Sequence, residues 1–282
     1  MYQAAHRLTL WALAGMLAAC SSTPRPSLSV AEIGEYPPGM GAPKGYLKDS
    51  EMPDSLALLP APPAQGSAAQ AADEAAHRIL SSKKSGPRWE MAAKDAELRF
   101  PAAASTFACA AGVEISEKHT PHLNMLLRRS MMDAGMASYG AKNKYQRVRP
   151  FVQFNEPTCF PKDEDFLRQD GAYPSGHSAI GWAWALILTE IAPERADALL
   201  QRGRAFSQSR AVCGVHWMSD IETGRLMGAA AVARLHANAT FKAQLALAKE
   251  EVAQANAKGL KPDAATCAAE QQALQPTALQ AP

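Results

Sequence analysis

A chain of 282 residues, 47% hydrophobic and 20% charged, holds enough apolar material for one folded domain with a real core, which excludes an intrinsically disordered protein. Lys and Arg total 29 against 27 Asp and Glu, a formal net charge of +2 that becomes +1 once Arg7 is removed with the first twenty residues. Neither value gives an electrostatic case for binding nucleic acid.

In chain order, residues 1–20 read as an export signal, with Arg7 as the basic end, Leu8 to Ala19 as the apolar stretch and small residues before Cys20. Leu17, Ala18, Ala19 and Cys20 also resemble the bacterial lipobox, in which cleavage precedes a cysteine that becomes lipidated. Cleavage by an ordinary signal peptidase is the alternative. Either route predicts a periplasmic protein, anchored to the outer membrane only if Cys20 carries lipid. Residues 21–52, rich in Pro, Gly and Ser, read as a flexible linker, and residues 53–66 as an ordered extended lead into a helical domain over 53–259.

Helical spacing dominates that domain. Thr120 and Pro121 form a helix start followed by a stripe of Leu123, Leu126, Leu127, Met131 and Ala134. Ile180, Trp184, Ile187, Leu188 and Ile191 form a second stripe, ended by Pro193; Leu199, Gly203 and Phe206 form a third. Phe241, Leu245, Ala248 and Val252 form a fourth, closed by Gly259. No alternating strand pattern stands out, so the predicted fold is all-α, a single-domain helical bundle. No internal apolar stretch reaches the roughly 18 residues of a membrane span. Residues 260–282 read as a frayed tail except where Cys267 pins it. With Cys20 set aside, Cys109, Cys159, Cys213 and Cys267 form two disulfides in an oxidising compartment, with three pairings open, or remain buried thiols.

Three clusters carry the chemistry. Pro174-Ser175-Gly176-His177 opens the Ile180 stripe, where unpaired backbone N–H groups at a helix start attract anions; Ser175 adds a hydroxyl donor, Gly176 allows close approach, and His177 is placed to give a proton. His216 and Asp220, four apart, share a helix face, so the carboxylate fixes one ring nitrogen and frees the other to attack. Arg210 continues the Leu199–Phe206 spacing onto the apolar side, where a guanidinium needs an anion. Among the cations before Pro150, Lys144 and Arg147 read as a solvated basic face. Lys142 and Arg149 acquire a role only from the resemblance below.

Lys142 with Arg149-Pro150, Pro174 to His177, and Ser209-Arg210 with His216 and Asp220 match in order and spacing the signature of the phosphatidic acid phosphatase type 2 superfamily, which includes bacterial nonspecific acid phosphatases and vanadium haloperoxidases. From about Tyr46 to Val232 the chain further resembles the class A acid phosphatases, in Pro53 to Leu56, Ala92 to Leu98, Asp133 to Gly135, Arg147 to Phe151 and Cys213 to His216. The resemblance implies an enzyme with His216 as nucleophile, Asp220 as its orienting carboxylate and His177 as general acid. It implies that Lys142, Arg149, Ser175, Gly176 and Arg210 hold the phosphoryl oxygens, with neither metal nor cofactor. Phosphate monoesters are the implied substrates, phosphotransfer to alcohols a side activity, and a homo-oligomer the implied state. Activity then needs His177 protonated and His216 neutral, two imidazoles split by environment. Ala172 and Ser178 depart from the Ser and Thr usual at those positions. Tyr173 and Trp217 read either as entrance aromatics or as packing. The competing readings are a vanadium haloperoxidase, a lipid phosphate hydrolase and a non-enzymatic anion-binding lipoprotein.

Overall fold

The computed structural model describes residues 25–39, 41–81 and 84–275; the export signal and Cys20 lie outside them. The described residues form α-helices and short 3-10 turns without a strand, as the periodicity predicts. In the N-terminal half these are α1 (Val30–Ile33), α2 (Ser55–Leu58), α3 (Ala68–Ser81), α4 (Pro87–Asp95), α5 (Ala108–Ala111), α6 (Pro121–Met136) and α7 (Tyr139–Tyr145). Then come α8 (Pro150–Gln153), α9 (Glu164–Gln169), α10 (Gly176–Ile191), α11 (Ala196–Val212), α12 (Met218–Leu235), α13 (Ala239–Ala257) and α14 (Ala264–Ala273). No helix among the described residues is long and apolar enough to cross a membrane.

The most apolar helix, α10, takes the centre, packed against α6, α11, α12 and α13. Its Ile180, Trp184, Ile187 and Leu188 are buried with Leu123, Leu126 and Leu127 of α6, Leu199 and Phe206 of α11, and Phe241 and Leu245 of α13. Trp184 satisfies its indole N–H on the Leu127 carbonyl at 3.0 Å. Small residues let α12 lie directly on α10: a Cβ at Gly224 would collide with the Ser175 carbonyl oxygen, and one at Gly228 with that of Ala179.

The start of α6 is where the sequence places it, with Pro121 in the first turn, but Thr120 does not cap it through its side chain. Glu251 of α13 does so instead, accepting from the amides of His122 and Leu123 at 2.9 Å each. A carboxylate at a helix N-terminus is favoured by both the free amides and the helix dipole, and this one ties α13 to α6.

Three segments differ from expectation. The final part of the stretch read as a flexible linker is docked on α6. Asp133 accepts from the amides of Tyr46 (2.9 Å) and Leu47 (3.0 Å), Arg129 donates to the carbonyls of Lys44 and Gly45, and the Tyr46 ring is buried against Phe241. Composition hid this because the partners lie far away in sequence. Within the stretch read as extended, Ser55–Leu58 forms a one-turn helix whose Ser55 hydroxyl accepts from the Ala141 amide at 2.8 Å. The tail is likewise not frayed over α14: Cys267 is bonded to Cys109, and Glu270 reaches Arg202 of α11 at 3.0 Å. The second disulfide joins Cys159 to Cys213, so one of the three open pairings is realised.

Candidate active site

The first turn of α10 is capped by Ser175, whose hydroxyl oxygen accepts from the Ser178 amide at 3.2 Å and from the Ser178 hydroxyl at 3.0 Å. Ser178 thus works with its hydroxyl as well as its backbone, and the Ser175 O–H hydrogen remains free to donate. The amides of Gly176 and His177, first in the helix, have no intrahelical acceptor. Gly176 faces Lys142 of α7: a Cβ there would lie 3.8 Å from the lysine Cε.

Lys142 and Arg149 converge on one carboxylate. Asp170 Oδ2 accepts from Lys142 Nζ at 3.0 Å and from Arg149 Nη2 at 2.8 Å, and both cations also donate to the Gly171 carbonyl. Arg149 Nη1 then reaches His216 Nε2 at 3.0 Å and the Val215 carbonyl at 2.9 Å. A guanidinium only donates, so His216 Nε2 must be the ring nitrogen with the lone pair. The proton therefore sits on Nδ1, which faces Asp220 Oδ2 at 3.3 Å. The same carboxylate oxygen accepts from the Trp217 amide at 2.8 Å, which closes the first turn of α12. The peptide of Ser175 donates to the Asp220 carbonyl at 2.9 Å, fastening the α10 start to the residue that orients His216.

Arg210 ends α11 with only 2% of its surface exposed, yet its Nε and Nη1 have no hydrogen-bond partner. Burial and the neighbouring charge of Arg149 push its pKa down to about 9, and burial with the same neighbour takes Lys142 to about 8. Leaving buried donors unmet is costly, and an anion is the chemical group that would answer them.

His177 donates from Nε2 to the Ala96 carbonyl at 3.1 Å, which leaves Nδ1 as the nitrogen able to accept or deliver a proton. Burial, then Arg210, lower its pKa well below the ordinary value; burial, then Arg149, do the same to His216. Both imidazoles are thus shifted in the same direction, towards the neutral form. An anion in the cradle would reverse the cationic part of that shift.

All eight residues singled out by sequence meet here. Reading the sequence missed three others. Arg147, read as a solvated basic residue, has a side chain only 8% exposed and donates to Asp220 Oδ1 at 2.5 Å and to Asp73 Oδ2 of α3 at 2.8 Å. Its signal was available: residues 147 and 149 in an extended segment project to the same side. Asp170 carries no spacing signal, and Ala96 acts through its backbone. Tyr173 and Trp217 turn out to be packing residues, 1% exposed each, with their polar atoms on the carbonyls of Pro60 and Val148. No cluster of three or more His, Cys, Asp or Glu suited to a metal ion occurs among the described residues.

Residues 124–243, which include every residue of the cradle, match the family model described as PAP2 superfamily. A non-specific acid phosphatase of Providencia stuartii is 47% identical over 210 residues, covering 74% of this chain and 85% of that protein. An acid phosphatase of Zymomonas mobilis is 40% identical over 220 residues, 78% of this chain and 83% of its own length. A non-specific acid phosphatase of Salmonella typhimurium is 42% identical over 207 residues, 73% and 83% of the two chains. With the helical bundle, the anion cradle and this identity in agreement, the chain belongs to the PAP2 superfamily.

Proposed function

We propose that this protein is an exported acid phosphatase that hydrolyses phosphate monoesters through a phosphohistidine on His216. The observation that carries the reading is a histidine whose Nε2 lone pair is fixed by Asp220 on the opposite nitrogen, facing a cradle in which the buried Arg210 lacks a partner. The names of the relatives support the same reaction class.

In the proposed sequence the phosphoryl oxygens take up Arg210, Arg149, Lys142, the Ser175 hydroxyl and the Gly176 amide. Arg149 Nη1 then exchanges His216 for phosphate oxygen, which frees Nε2. Its lone pair forms the N–P bond as the P–O bond to the alcohol breaks, and protonated His177 gives its Nδ1 proton to the departing oxygen. In the second half, water gives a proton back to His177 and its oxygen attacks phosphorus. The N–P bond breaks, and inorganic phosphate with neutral His216 is the product. An alcohol in place of water gives phosphotransfer. Positioning and charge account for the barrier, as phosphoryl transfer requires. Because His177 is neutral in the empty site, bound phosphate and acid pH together supply the protonated acid, which makes the optimum acidic.

Two disulfides favour an oxidising compartment and so support export. A periplasmic location, lipid on Cys20 and a homo-oligomer remain parts of the proposal, lying outside the described residues or beyond a single chain. Release of p-nitrophenol from p-nitrophenyl phosphate between about pH 5 and 7 with EDTA present tests the mechanism. Wild type turns over and His216→Ala does not; equal activity in both sinks the phosphohistidine.

A further inference from the structure

The His216–Asp220 pair does not end at the carboxylate. Asp220 is fully buried and divides its oxygens: Oδ2 serves His216 and the Trp217 amide, and Oδ1 serves Arg147 alone. Arg147 Nη1 also donates to the Ser219 hydroxyl at 2.7 Å, and its Nη2 to Gln70 Oε1 at 2.7 Å and Asp73 Oδ2 at 2.8 Å. Asp73 in turn accepts from the Ser219 amide at 2.9 Å and the Ser219 hydroxyl at 2.5 Å, and the guanidinium lies 5.4 Å from the Trp217 ring centroid. One planar fork therefore spans α3, the α7–α8 connection and the first turn of α12.

We infer that Arg147 is a positioning residue for the phosphoryl-transfer reaction: held by Asp73 and Gln70, it keeps Asp220 ionised and aimed so that His216 carries its proton on Nδ1 and presents Nε2 to phosphorus. This rests on the reading of His216 as nucleophile. The physical need is plain, because a carboxylate at zero exposure is costly unless a cation balances it. Burial does push Asp220 up, to about 6, with Arg147 the largest influence holding it down. A protonated Asp220 would present a hydroxyl as readily as an acceptor, and the imidazole would lose its preferred tautomer. Arg147 uses the oxygen that His216 does not, so the two never compete. The other charged or titratable groups acting around Asp220 are Lys142 of α7, Arg149 ahead of α8, and Tyr173 ahead of α10. Lys142 and Arg149 are committed to Asp170 and, in the proposed complex, to phosphate. Arg147 alone among these cations bonds directly to Asp220.

The test compares wild type with Arg147→Met, Arg147→Lys and the double variant Arg147→Met/Asp73→Asn, which avoids leaving the Asp73 charge buried without its cation. The rate profile with p-nitrophenyl phosphate is measured against pH, and the His216 ring nitrogens are followed by NMR in the full chain. Loss of the cation is expected to lower kcat about 10- to 100-fold near pH 7, where wild-type Asp220 is ionised, and to move the acid limb of kcat up by about one pH unit or more. Arg147→Lys should keep the limb near its wild-type place while recovering only part of kcat, since one ammonium cannot span Asp220 and Asp73. With inorganic phosphate bound, so that Arg149 no longer donates to Nε2, the Nδ1–H signal of His216 in both Met variants should give way to a mixture of tautomers. A uniform loss of rate with the limb unmoved and the tautomer retained would reduce Arg147 to a structural tie and overturn the inference. Should wild type be inert toward the ester, the phosphatase reading fails, and the His216 tautomer still decides the role of Arg147.

Discussion

Helix α11 carries two buried arginines, Arg202 and Arg210, about two turns apart. Arg202 is 3% exposed and fully answered, with both Asp95 oxygens, Glu270 and the Thr106 carbonyl around it, and its pKa lies above the ordinary value. Arg210 is 2% exposed with two nitrogens unanswered, and its pKa is driven down. Burial does not distinguish them; the roster of partners does. One end of the helix is fastened to α4 and α14, and the other carries a guanidinium whose Nε and Nη1 find no partner among the described residues.

The largest expected effect separates the two by stability. Arg202→Met leaves the buried Asp95 and the half-buried Glu270 without their cation and should destabilise the fold by about 3–5 kcal/mol in urea unfolding. A loss below about 1 kcal/mol would mean that Arg202 is no more structural than Arg210. Next, Arg210→Met should leave the ligand-free protein equally or more stable while lowering kcat/KM about 10²- to 10³-fold. Inorganic phosphate at about a hundred times its Kd should stabilise wild type by about 2.7 kcal/mol and the variant far less. Equal stabilisation of both would place the anion elsewhere.

The smallest effect is on pH. His216 and His177 stay neutral in the ligand-free fold, whereas in the unfolded chain they take up protons below about pH 6.5. The unfolded state then binds more protons, so stability falls as pH drops from about 7. Asp220 and Asp133, each pushed up to about 6 mainly by burial, act in the opposite sense, because the fold takes up their protons first. The melting temperature should therefore decline gently and level off near pH 5, and phosphate should flatten the decline. A melting temperature that rises steadily as the pH is lowered would contradict the neutral histidines.

Much of this was legible because it is local. Helical spacing gave the stripes on α6, α10, α11 and α13; the four-residue step picked out the His216–Asp220 pair, but His216 precedes the N-cap Trp217 and does not share a face of α12 with Asp220 as the spacing suggested. Arg210 was legible for a related reason: a cation in phase with Leu199 and Phe206 must enter the core. What stayed hidden depends on distant partners. Tyr46 needed Asp133 and Arg129 to become part of the core, Glu251 capped α6 from α13, and α14 was held by Cys109 and Arg202. Asp170 has no periodic signature, and the acceptor for His177 is a backbone carbonyl that no side-chain pattern encodes. Arg147 was misread because a run of cations looks solvated until Asp73, 74 residues earlier, is placed beside it.

The contact of α12 on α10 through Gly224 and Gly228 has a consequence for how this enzyme can change. The α12 main chain rests on the α10 backbone at Ser175 and Ala179, so the floor under the proposed phosphate site is made mostly of main chain and offers little that could be trimmed or enlarged to retune it. Even a single methyl there would lift the segment that supplies the Gly176 amide. Variation in what the protein accepts is thereby channelled away from this backbone contact to side chains around the cradle. On the proposed reading, the grip on the phosphoryl group is a fixed casting, while the choice of alcohol attached to it stays open to drift.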